Sequence, residues 1–197
     1  MRRAFLFLLL LGACRGLERD PILPLAEDAP GFPARAGDGE LLATALLPTN
    51  HAETLGEDLT AREVLPVAVR LGLREGVETP TDVDRIDAEL LLADGTVLRA
   101  IESDRVARNE PRLIERLALL ALRVGPLAPF ERAPSRFLYF RLGPETRVRG
   151  RYALVRTPSL YREVDLLRSL LVLEVATQRG SHEIRVGLSA GPWSAGS

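Results

Sequence analysis

Residues 86–101 read Ile86-Asp87-Ala88-Glu89-Leu90-Leu91-Leu92-Ala93-Asp94-Gly95-Thr96-Val97-Leu98-Arg99-Ala100-Ile101. Ile86, Ala88, Leu90 and Leu92 alternate with Asp87, Glu89 and Leu91. That period of two belongs to a strand with one buried face. Asp94-Gly95 offers the positive φ angles of a tight turn, and Thr96 to Ile101 returns as a second strand. The hairpin points to an antiparallel β fold.

The same pattern recurs on both sides. Leu41–Leu47 is a short apolar run, and in Val64–Leu71 the residues Leu65, Val67, Val69 and Leu71 share one face, the mark of a half-buried strand. Pro66 cannot donate to a ladder, which predicts an edge or a bulge there. Downstream, Arg136–Leu142 and Arg147–Val155 flank a Gly143-Pro144 turn, and Leu170–Ala176 and Glu183–Leu188 flank Gly180-Ser181. Asn50–Glu63 is polar and mixed, with Asp58 suited to start a turn. Asn109–Val124 predicts one helix. Asn109 can cap it, Pro111 suits its first turn, and Leu113, Leu117, Leu120 and Val124 recur at helical spacing before Gly125-Pro126 stops it. Strands in hairpin-like succession with one helical insertion near residues 109–124 predict a mainly β fold, an antiparallel β-sandwich of immunoglobulin-like architecture. Strands do not alternate with helices, which argues against a doubly wound α/β sheet.

Composition bounds what such a domain does. The chain has 197 residues, enough for one ordinary domain, and a formal net charge of −1 that gives no reason to expect a nucleic-acid partner. All 26 basic residues are arginine, as a GC-rich genome produces. With a single cysteine, Cys14, the fold rests on its hydrophobic core and not on disulfides.

Met1–Cys14 reads MRRAFLFLLLLGAC: a basic head at Arg2-Arg3, an apolar run from Ala4 to Leu11, two small residues, then the cysteine. The run is too short to span a bilayer, which takes roughly 20 apolar residues, and the order is that of a secretory signal. Leu11-Gly12-Ala13-Cys14 resembles the lipobox of bacterial lipoproteins. The resemblance covers only these residues. It implies cleavage before Cys14, a diacylglyceryl group on its sulfur, and attachment to a membrane of the cell envelope, the outer membrane being favoured by Arg15 if the host has one. The expected organisation is a signal peptide over 1–13, lipidated Cys14 with a Pro/Gly-rich tether to residue 40, one β-rich domain over 41–190, and a flexible tail over 191–197.

Several constellations carry candidate chemistry. Gly187-Leu188-Ser189-Ala190-Gly191 fits G-x-S-x-G, but neither helix, acid nor histidine follows it, as a nucleophile elbow requires. Ser181-His182-Glu183 places three catalytic residue types side by side, but adjacent strand residues point to opposite faces where a triad must converge, and the stretch reads as a solvent-facing turn. The stretch with Asp82, Asp84 and Asp87 has Ile86 and Asp87 where the third ligand and the glycine of an EF-hand loop belong, so it reads as a solvated loop entering a strand, with a calcium site of another kind as the alternative. With His51 and His182 the only histidines, no metal set and no cofactor is expected. Arg147, Arg149 and Arg151 line one face of a predicted strand and form a candidate anion-binding surface for lipid phosphates or an acidic partner. The functional expectation is a membrane-anchored envelope lipoprotein acting as a binding or structural module, without catalytic residues. The alternatives are an accessory subunit of an envelope secretion or transport complex, and an envelope hydrolase.

Overall fold

A computed structural model describes residues 35–77, 81–143, 146–149 and 162–194. The elements of its first half are β1 (Arg35–Gly37), β2 (Leu41–Pro48), α1 (His51–Leu55), β3 (Val64–Leu73), β4 (Asp82–Leu91), β5 (Val97–Ile101) and α2 (Ser103–Val106). Then come α3 (Pro111–Leu120), β6 (Gly125–Pro126), β7 (Ser135–Arg141), β8 (Thr146–Arg149), β9 (Arg162–Asp165), β10 (Leu170–Thr177) and β11 (Gly180–Gly191). Single 3-10 turns sit at Leu59–Arg62, Phe130–Arg132 and Leu166–Arg168.

The strands do not stack as two sheets. They hydrogen-bond in the order β2, β11, β10, β4, β5, β7, β3, and β3 pairs back onto β2, so seven strands close into a barrel. The expected antiparallel sandwich is thereby corrected. Two ladders make the closure: β2 with β3, antiparallel from Leu41↔Leu73 to Leu46↔Ala68, and β11 with β2, parallel from Leu188↔Ala45 to Gly191↔Pro48. Alternation tells which side chains are buried, but it is the same whether sheet edges stay open or meet. Closure removes the edges that a sandwich must protect. Where β11 does not reach β2, β1 pairs with it, from Arg35↔Thr44 to Gly37↔Leu42. β1 thus belongs to the folded domain, although residues up to 40 read as tether.

The barrel is filled, not hollow. Leu41, Val67, Leu90, Phe140, Leu173 and Val186 from six strands are fully buried in one cluster, and Ala43, Ala45 and Ala88 are the small residues that let a narrow barrel pack. A second cluster lies outside the barrel wall, where Leu55 of α1, Leu59 of the first 3-10 turn, Val106 of α2 and Leu117 of α3 cover Phe137 and Tyr139 of β7 and Val64 and Ala68 of β3. β3 therefore carries apolar residues on both faces and is buried on both, which is why its burial exceeds the half-buried expectation. On its β2 flank the ladder stops at Ala68, so Pro66 sits where no β2 residue asks for its missing N–H.

The hairpin forms as β4 and β5, paired from Leu91↔Val97 to Glu89↔Arg99. Its turn holds three residues, not two. Leu92 N–H donates to Thr96 O at 2.8 Å, and Gly95, at φ 85°, alone takes the left-handed conformation. Asp94 contributes its side chain, accepting from Thr96 N–H at 2.9 Å. The predicted helix is α3, shorter at both ends. Pro111 opens it, and Ala121 turns extended to bridge Phe137.

Candidate functional site

On the outer wall of the barrel, partnered residues of four strands form a row. Arg35 pairs with Thr44, Thr44 with Arg70, and Arg70 with Ser135. Side chains of directly opposed residues share a face about 5 Å apart, so the row presents two guanidiniums and two hydroxyls across the wall. One step along, Ser189 pairs with Leu46 and Leu46 with Ala68. These residues, with Ala45, Pro192, Trp193 and Ser194, line an open groove of about 350 Å³. That volume is in the range of small-ligand sites.

Three local features hold the groove in shape. Gly72 lets the Phe130 segment lie against β3, since a Cβ there would meet Phe130 Cα at 2.6 Å. Leu73 N–H then donates to Ala128 O at 2.9 Å. Phe130 is thus placed between the two arginines, with the Arg35 guanidinium carbon 4.4 Å and that of Arg70 6.0 Å from its ring centroid. Such stacking steadies a guanidinium while leaving its N–H edge free to donate. Arg35 also pairs with Glu131 at 3.1 Å, whereas no ion pair engages Arg70 among the described residues. At the other end Asn50 clamps Trp193 by both polar atoms, accepting from its N–H at 2.8 Å and donating to its carbonyl at 3.1 Å. The indole packs on Phe137 with centroids 5.0 Å apart. Trp193 is therefore a fixed wall, where a loose tail was expected.

No family model matches the chain, and no curated protein or solved structure gives a significant match. Its chemistry rests on its own residues.

Both histidines sit with each ring nitrogen against oxygen. His182 on β11 meets Asp38 Oδ2 through Nδ1, and Thr177 Oγ1 through Nε2 at 3.3 Å, with Glu40 Oε2 at 3.9 Å. Acid, imidazole and hydroxyl in that order suggest a nucleophilic triad, but the hydroxyl is already spent. Thr177 donates to Gly180 O and accepts from Arg179 N–H, each at 3.2 Å, inside the turn joining β10 to β11. Its proton is not directed at the imidazole, as nucleophile activation demands. The cluster instead pins the β1–β2 loop to the far hairpin, and His182 faces Asp38 rather than solvent. His51 does the same work in α1, through Pro48 O at 3.1 Å and Asp58 Oδ1 at 3.0 Å. Burial pushes the Asp38 carboxyl up, but the Leu41 and Glu40 N–H groups and His182 outweigh it and hold Asp38 below its ordinary value. For Asp58 burial is likewise outweighed, by the Thr60 hydroxyl, His51 and the Thr60 N–H.

The residues singled out by sequence disperse. Cys14 and Arg151 lie outside the described residues. Arg147 and Arg149 stand on β8, which pairs in parallel with β9 so that Arg147 is opposite Glu163 and Arg149 opposite Asp165. That register brings acidic positions to the row, and it differs from the hairpin strand expected. Ser189 lies within β11, where no sharp elbow exists, and donates to Ala45 O at 3.2 Å. Asp82 and Asp84 are exposed on β4, and Asp87 pairs with Arg85 at 2.8 Å. The groove itself left two signals that pattern reading passed over. Arg70 is the only charged residue in Val64–Leu73, and the single tryptophan falls in a stretch assigned to a tail.

Proposed function

We propose that the chain is a lipid-anchored protein of the bacterial envelope that binds an anionic ligand in the groove between Arg35, Arg70 and Trp193, and that it is not an enzyme. Anchoring is supported by Leu11-Gly12-Ala13-Cys14. Binding is supported by one observation above the others, the register row Arg35–Thr44–Arg70–Ser135, which gathers two guanidiniums and two hydroxyls on one face, Arg35 shared with Glu131 and Arg70 in no ion pair among the described residues. A guanidinium fork matches a carboxylate or phosphate oxygen pair. Ser135 and Ser189 have neither imidazole nor acid beside them in the groove to activate them for attack, and Ser189 already donates to Ala45 O, which leaves Ser135 as the serine donor for a ligand.

The single tryptophan makes the test direct, because Trp193 lines the groove. Titrating inorganic phosphate should change the emission of Trp193 and saturate. Arg70→Gln should abolish saturation while leaving the far-ultraviolet circular dichroism unchanged. A response identical in the variant, or none in the natural protein, removes the groove as a binding site.

A further inference from the structure

We infer that the occupant of the groove is the phosphate headgroup of an anionic phospholipid in the same membrane that holds the anchor. This rests on the reading of the groove as an anion site and names its ligand. Arg35 is at once a wall of the groove and the point where the chain coming from Cys14 joins the barrel. Twenty residues separate the two, and fully extended they reach about 70 Å at most. The groove therefore stays within that distance of the bilayer for as long as the anchor holds.

Chemistry fits the headgroup. The Arg70 guanidinium, braced on the Phe130 ring and in no ion pair among the described residues, can fork two phosphate oxygens, Arg35 adds the N–H groups that its pairing with Glu131 leaves over, and the Thr44 and Ser135 hydroxyls stand between and beside them. Next to this polar row the lining turns apolar at Leu46, Ala68 and Trp193, which suits the glycerol and first methylenes. β7 also carries Arg136, which donates to Leu119 O at 3.1 Å and holds the end of α3 against the barrel wall. There Leu119 and Val124 are exposed at 66% and 58%, with Arg123 between them in sequence. Apolar side chains flanked by arginines are what a lipid surface accommodates.

Energetics favour a lipid over a dilute soluble anion. Exposed ion pairs are individually weak and screened by salt. A tethered groove facing headgroups at high local density needs no strong site, because linkage raises the effective concentration. Headgroup binding would then fix which face of the barrel lies toward the membrane.

The test uses the chain from Arg15 onward without lipid, because every described element lies in residues 35–194 and closes on its own core. Its outcome is then independent of whether Cys14 is modified. Co-sedimentation and Trp193 emission are measured with phosphatidylglycerol vesicles, with phosphatidylcholine vesicles, and with inorganic phosphate alone. Binding is expected to the anionic vesicles at low salt, to fade with added salt, and to fall about fivefold to tenfold in Arg70→Gln. Arg35→Gln, on the exposed rim, should weaken it similarly and carries the test if Arg70→Gln does not fold. Arg185→Gln removes the same charge from an exposed position on β11 and should change nothing. Equal loss in Arg185→Gln, equal binding to the zwitterionic vesicles, or undiminished binding by the groove variants overturns the proposal. Saturation by phosphate without vesicle binding overturns the lipid alone and leaves the groove an anion site. No response to any probe removes both.

Discussion

Asp38 and Asp58 each sit below the ordinary carboxylate value of 3.8, held there by donors of their own loops and by a histidine. A carboxyl whose folded pKa is depressed binds fewer protons folded than unfolded. Its stabilisation is complete above the unfolded value and is lost as pH falls through the folded one. Unfolding midpoints in urea should therefore hold steady down to the neighbourhood of 3.8 and drop below it. Asp38→Asn with Asp58→Asn should flatten that acid limb while lowering stability at neutral pH. An acid limb as steep in the double variant would place the sensitivity elsewhere. The side chains are 34% and 37% exposed, so solvent screening moderates the effect. Asp58 was legible as a turn starter because its acceptor role is local, to Thr60 N–H at 3.0 Å. The Asp38–His182 contact spans 144 residues, and nothing in either neighbourhood points to the other. Only the folded barrel brings the two loops together.

Among the elements, α3 tests how the second core is held. Leu117 is fully buried between helix and barrel wall, while Ile114 on the same helix is 38% exposed. Leu117→Ala should cost about 2–5 kcal/mol, the range for a buried leucine whose cavity cannot collapse. Ile114→Ala should cost well under half as much, and urea denaturation of both variants measures the difference. Similar losses would mean that the helix lies on the barrel differently from the packing described. The helix was legible because its apolar spacing is local. Its end was not, because Ala121 leaves the helix to bridge Phe137 and Leu122 N–H donates to Phe137 O at 2.9 Å. The strands were legible on the same ground as the helix. β2, β3, β7, β10 and β11 all form where alternation or apolar runs predict them, within a few residues at their ends. α1 escaped notice because His51 and Leu55 are its only buried residues, too few to set a period.

At the scale of the whole molecule, the closing pairs join residues far apart in the chain, as Leu188↔Ala45 does, and no local period reports them. The same separation hid the groove, which takes residues from five strands and the final segment. The proposed anchor is the opposite case, its motif carried wholly by adjacent residues. In the lipobox reading, the Cys14 thiol is the acceptor of the diacylglyceryl group, and no other cysteine in the chain can replace it. Anchoring by lipid contributes about 0.8 kcal/mol per buried CH₂, and two or more chains hold firmly where one holds marginally. Cys14→Ser should therefore move the protein from the detergent phase to the soluble fraction, and leave the far-ultraviolet circular dichroism of the domain unaltered, because every described element closes on its own core. If the variant still partitions with membranes although inorganic phosphate and anionic vesicles fail to bind the groove, neither the thiol nor the groove holds the protein there. If it is released, yet rebinds anionic vesicles through Arg70, anchor and groove are separate attachments. The tether then supplies the proximity that the weak site needs.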